Sequence, residues 1–165
     1  MSQVTKEILQ KELRNTEVDV LNSLLNGEIS AVETYNHAIQ QVKDTHLIPS
    51  LEDCRNSHAI RVEKLRNYIE ELGFPANENA GLWGTVANLA EGTASMFGDM
   101  AIMTVLAGGE EFGTHEYEDH MQCFDPEILD LVKTELLPYQ KATEHITRRL
   151  SQIIHHGNGF IARFH

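Results

Sequence analysis

The chain has 165 residues, enough for one packed domain with its own core. Hydrophobic residues make up 41% and charged residues 23%, and 25 acidic side chains against 13 basic ones give a net charge of -12. That balance argues against a nucleic-acid partner, which would require a basic face, and no run approaches the roughly 18 apolar residues of a membrane span.

The segment from Met1 to Arg14 lacks the apolar centre of a signal peptide and reads as a polar helical extension over residues 1–15, so a cytoplasmic protein is expected. Thr16 to Asp19 fits a capping box opening a first helix at about 17–43. Leu21, Leu24, Leu25, Glu28, Val32, Tyr35, Ile39 and Val42 keep helical spacing along it. Pro49, Ser50 and Asp53 open a second helix, which Gly73 and Pro75 close. Its inner stripe includes Leu51, Cys54, His58, Val62, Leu65, Ile69 and Leu72.

About 25 residues then run from Gly73 to Gly98, with Trp83 and a possible short helix from Val86 to Leu89. A connection this long in a small domain is expected to span something. A third helix runs from Asp99 to about Gln122. Asp125 and Pro126 form a helix start, a capping side chain followed by a residue whose missing N–H costs nothing there. The fourth helix continues to about His155 with a kink at Pro138, and residues 157–165 form a tail. No internal repeat is read from the sequence. The expectation is a single all-α domain over 1–165: two antiparallel hairpins joined by one long crossover between helices 2 and 3, the arrangement of ferritin-like four-helix bundles.

Polar residues on the apolar stripes are the candidates for function. Glu28, His58, Glu110, Glu116, His120 and Glu135 are the candidate metal ligands, with Tyr35, Tyr117 and Tyr139 as hydrogen-bond partners around them. A lone buried carboxylate protonates or finds a partner. Several helices each offering Glu or His inward could instead hold a pair of ions, and oxygen and imidazole donors suit iron or manganese. The plain alternatives stand beside this. His58 can be a hydrogen-bonded core histidine, Glu28 and Glu135 can reach water, Glu116 and His120 can be a surface pair, and the tyrosines can be core aromatics. His145 lies on a flank, and His155, His156 and His165 read as solvated tail residues. Gly108, Gly109 and Gly113 in helix 3 point to close packing or a local bulge. Cys54 and Cys123 are too few for a disulfide framework or a cysteine zinc site.

Leu21 to Glu28, Gly109-Glu110 followed by Tyr117, and His145 followed by Leu150 resemble an uncharacterised bacterial ferritin-like family, a domain of unknown function, over about residues 17–155. The resemblance implies a four-helix ferritin-like bundle and little about activity. The chain departs from ferritin-like di-iron enzymes, because no Glu has a His three residues after it. Two readings of function follow. In the first, a metal-free structural or interaction protein carries a satisfied buried polar network. In the second, a non-standard di-metal site of iron or manganese supports binding or oxidase-like chemistry. Neither assigns a catalytic residue. The expected partner is a second copy or another protein, with no nucleic acid and no membrane.

Overall fold

The computed structural model describes residues 2–80 and 98–161, with side chains described as far as His155; the expected short helix at 86–89 and Trp83 lie outside the described residues. Among the described residues the architecture is helical, without strands. Four rods are formed by α1 (Gln3–Gln41), α2 (Ile48–Glu71), α3 (Asp99–His120) and a composite fourth rod. That last rod joins α4 (Pro126–Leu131), a π-helical turn (Val132–Leu136) and α5 (Leu137–Ile161). None of the described helices is long and apolar enough to cross a membrane.

The expected start at Thr16 is corrected. Helix α1 begins at Gln3, where the Ser2 side chain accepts from the Thr5 N–H, and runs unbroken through 39 residues. Nothing in Arg14 to Glu17 interrupts helical geometry, and the Thr16 hydroxyl donates back to the Glu12 carbonyl instead of capping a new helix. Helix α2 opens with Pro49 in its first turn and closes at Gly73, whose φ of +82° lets the Phe74 N–H reach back to the Ile69 carbonyl.

The two hairpins are tied at both ends. At one end the Asp99 carboxylate accepts from the N–H groups of Lys43 and Asp44, both at 2.8 Å. At the other end Asp125 caps α4 through the N–H groups of Glu127 and Ile128. Its own N–H donates to Glu17, and its carboxylate accepts from Arg14 at 3.1 Å. Helices α1 and α3 are therefore antiparallel. Asn22 and Asn26 bond to the Pro75–Asn77 stretch, so residues on either side of 81–97 are tied to points about 30 Å apart, one on α1 and the other, at Lys43 and Asp44, in the turn that follows it.

Two apolar clusters fill the interior. One gathers Leu21, Leu25, Leu65, Ile69, Ile128 and Val132; the other gathers Ala38, Leu51, Cys54, Ile102 and Met103. Each fully buried leucine or isoleucine contributes about 1.5–3 kcal/mol. A polar layer separates the clusters.

The kink expected at Pro138 takes the form of a widened turn just before it. Proline has no N–H for the carbonyl one turn earlier, and its ring crowds that carbonyl. The backbone relaxes into i→i+5 bonding, with the Leu137 N–H on the Val132 carbonyl. This inserts one residue and rotates the following face. The buried positions become Val132, Leu136, Gln140, Thr143 and Thr147. Glu135 and Tyr139, placed inward by a straight helical count, are turned out. Tyr139 is 55% exposed, and Glu135 lies half-buried in an ion pair with Lys64.

Candidate functional site

Glu28 of α1, His58 and Arg61 of α2, Glu110 of α3, and Gln140 and Thr143 of α5 meet in the polar layer, all buried. The imidazole of His58 lies between the two carboxylates. Its Nδ1 is 2.7 Å from Glu28 Oε2 and its Nε2 is 2.9 Å from Glu110 Oε1. Arg61 donates from Nε to Glu28 Oε1 at 2.8 Å, from Nη1 to Ser57 at 2.8 Å, and from Nη2 to Gln140 Oε1 at 2.9 Å. Gln140 and Thr143 in turn donate to Glu110 Oε2, at 2.8 and 2.7 Å.

Two tyrosines complete the set by crossing between rods. Tyr35 of α1 donates to Glu110 of α3 at 2.5 Å, and Tyr117 of α3 donates to Glu28 of α1 at 2.7 Å. The Tyr35 ring also packs against His58, with centroids 5.3 Å apart.

The electrostatics follow from these contacts. Burial works against a charged Glu28, but Arg61 and His58 outweigh it and hold the carboxyl at about 2. Glu110 is also lowered: burial opposes ionisation, and His58 with the bonds from Tyr35 and Thr143 prevails. Burial works against the His58 imidazolium, yet the flanking carboxylates raise it above its ordinary value. Both ring nitrogens then donate, one to each carboxylate. The 2.7 Å approach of Arg61 Nη2 to Nδ1 is accordingly a contact of two cations held together by the carboxylates and not a hydrogen bond. Two carboxylates face one guanidinium and one imidazolium, and the layer is neutral. Burial, and then the Glu110 charge, push the adjacent Cys54 thiol up to about 12.

The layer also reveals a repeat that the sequence reading missed. Gly27-Glu28 precedes Tyr35 as Gly109-Glu110 precedes Tyr117. His58 and Arg61 stand 30 and 33 residues after Glu28, and Gln140 and Thr143 stand 30 and 33 residues after Glu110. The two hairpins are equivalent, position by position, at the site. Identity is confined to so few residues that it does not stand out in the linear chain.

Of the residues expected at a site, Glu28, His58, Glu110, Tyr35 and Tyr117 converge. Glu135 and Tyr139 do not, for the reason given by the π turn. Glu116 is half-buried and lines a cavity beside the layer, while the His120 ring bonds to the Glu116 carbonyl at 2.7 Å and takes no part. Arg61, Gln140 and Thr143 were missed. Arg61 had a signal, because it follows His58 by three residues and so shares its face.

The cavity, about 730 Å³, lies between α1 and α3. Gly27 and Ala31 line one side, Gly108 and Gly109 the other, and Glu28, His58 and Glu110 are reached at its floor. Among the described residues no atom lies within 4 Å of a Cβ built on Gly108 or Gly109. Close packing against described residues, one of the readings of these glycines, is therefore not what they serve. Gly113 differs, because its Cβ would meet Gln140 Nε2 at 2.9 Å.

Among the described residues, no group of three or more His, Cys, Asp or Glu side chains is arranged to hold a metal ion. Neither a curated protein nor a solved structure matches the chain. A family model does match, over residues 16–122, which takes in α1 from Thr16 onward, α2 and α3 with Glu28, His58, Arg61 and Glu110. The chain belongs to the family described as a domain of unknown function, DUF2383.

Proposed function

We propose that the protein is a ferritin-like four-helix bundle, with its crossover between α2 and α3, that works without metal as a structural or interaction protein. The observation that carries this reading is the position of Arg61. In di-metal bundles, two helices each supply a Glu and the other two each supply Glu-x-x-His. Glu28 and Glu110 match the first pair. The i, i+3 pairs are His58 with Arg61 and Gln140 with Thr143, and the positive charge between the carboxylates belongs to the protein's own side chains. The residues present do not fit two ions.

The partner proposed on this reading is a second copy or another protein, and the proposed compartment is the cytoplasm. An iron- or manganese-binding bundle is the alternative, and the convergence of Glu28, His58 and Glu110 favours it. It requires Arg61 to leave the layer and His58 to lose its proton. Metal content decides between them, measured after expression with iron and manganese supplied. The metal-free reading expects less than about a tenth of an equivalent per chain, and a stoichiometric amount lost in Glu28→Gln overturns it.

A further inference from the structure

Helix α1 runs on past the bundle at its N-terminal end. Its first buried residue is Glu17, residues 2–13 are all exposed, and their side-chain hydrogen bonds stay within the helix. Val4, Ile8, Leu9 and Leu13 are 65%, 55%, 46% and 59% exposed, and they make up half of the large apolar side chains exposed among the described residues. At about 100° per residue the four fall within one half of the helix circumference, with Lys6, Gln10 and Arg14 on the other. The projection is about 20 Å long, and a helix that short draws its stability from packing its apolar face. Among the described residues nothing covers that face.

Spacing and charge indicate the occupant. The steps from Val4 to Ile8, Leu9 and Leu13 are four, one and four residues, which read the same in both directions. Two such helices laid antiparallel about the midpoint of Ile8 and Leu9 bring Ile8 of one copy level with Leu9 of the other, and Val4 level with Leu13. Each pairing occurs twice, as a twofold interface requires. Gln3 of one copy is then level with Arg14 of the other, so the overlap stops short of both bundles. The extension carries Lys6, Lys11 and Arg14 against Glu7 and Glu12, so the net charge of -12 lies wholly outside it. Antiparallel pairing keeps the acidic bundles at opposite ends, with Glu17 of one about 25 Å along the axis from Glu17 of the other. That is well beyond the screening length of about 8 Å, whereas bundles packed side by side would face each other within it.

We propose that the projecting end of α1 is a homodimerisation arm: it takes the same arm of a second copy, antiparallel, with Ile8 and Leu9 at the centre. The inference rests on the interaction reading and chooses its partner. Metal content, which decides that reading, has no bearing on the arm, so the two can fail separately. Four apolar side chains per copy make a small interface, so the dimer dissociates on dilution.

The test is sedimentation equilibrium of the full chain from about 1 to about 100 μM, with small-angle X-ray scattering at the upper end. A mass near twice that of one chain is expected at about 100 μM, falling towards one chain on dilution. The dimer should measure about 100 Å or more in its longest dimension, because the two copies of α1 overlap only through their arms; side-by-side bundles would measure about 60–70 Å. Ile8→Gln with Leu9→Gln replaces two exposed residues by a good helix former and should leave a monomer with unchanged thermal unfolding of the bundle. Ile153→Gln, at an apolar side chain 61% exposed on α5, should dimerise as the natural chain does. A natural chain that stays monomeric at about 100 μM overturns the inference. So does a dimer that survives the double substitution, or one of the shorter dimension. A monomer that instead floats with phosphatidylcholine vesicles, and loses that binding in the double variant, overturns it in favour of a lipid surface.

Discussion

Glu28 and Glu110, on antiparallel rods, are joined through a single imidazole, His58 bonding one with each ring nitrogen at 2.7 and 2.9 Å. The link holds while the ring is charged and both carboxyls are ionised. Stability should therefore depend on pH in two limbs. His58 is raised above its ordinary 6.5, so its contribution is complete below that value and is lost as pH climbs through the folded value. Glu28 is lowered from 4.5 to about 2, so its contribution, roughly 3 kcal/mol, is present above 4.5 and disappears as pH falls towards 2. Glu110, also lowered, adds to the acid limb. Thermal unfolding across the pH range should show a plateau between the limbs. His58→Gln should lack the alkaline decline attributable to this group; an unchanged decline in the variant would assign it to other residues.

The crossing tyrosines predict an order. Tyr117→Phe leaves Glu28 with donors from His58 and Arg61, while Tyr35→Phe leaves Glu110 with three, from His58, Gln140 and Thr143. Each substitution should cost about 1–3 kcal/mol, the desolvation of a carboxylate short of one partner, with Tyr117→Phe the larger. Urea unfolding of both variants checks the order, and the reverse ranking contradicts the donor accounting.

Three glycines of one helix should respond differently. Gly108→Ala and Gly109→Ala remove the conformational cost of glycine in a helix and meet no described atom, so each should stabilise by up to about 1 kcal/mol. Gly113→Ala drives a methyl to 2.9 Å from the Gln140 amide and should destabilise. Melting temperatures of the three single variants suffice, and a uniform response rules out this account.

Asp99 reaches across to the other hairpin's turn. Asp99→Ala should expose the Lys43 and Asp44 amides to hydrogen exchange and cost about 1–2 kcal/mol. Retained protection at those two amides would mean that the turn holds itself.

The two thiols should separate chemically. Cys54 is buried with its thiol at about 12, while Cys123 is exposed. Alkylation of the native protein near pH 8 should label one thiol per chain, at Cys123, and both in denaturant. Fast native labelling of Cys54 would show that the layer opens readily.

Most of the helical frame was legible because its punctuation is local. Asp125-Pro126, Gly73 and the leucine spacing of α1 each act within one or two turns. The site was half legible. Glu28, His58, Glu110, Tyr35 and Tyr117 lie on regular helices, where a period of 3.6 gives the right face. Glu135 and Tyr139 were misplaced because the count crossed a π turn, which a periodicity cannot foresee although Pro138 hints at it. Arg61 was passed over because an arginine is expected at the surface, and only the meeting of Glu28 and Gln140 around it makes burial tolerable. The equivalence of the hairpins was hidden because it rests on a few polar positions set among divergent apolar ones.

The polar layer draws at least one member from each rod and sits between two apolar clusters that have little directionality of their own. Leucines and isoleucines slide past one another at small cost, whereas a carboxylate and a guanidinium do not. Displacing α1, α2 or α3 by one turn, about 5.4 Å, would strand a charge in dry surroundings, at a cost of about 3–5 kcal/mol. The layer thus works as a vernier for the bundle: greasy packing holds the rods together, and the paired charges select the single alignment in which they come to rest.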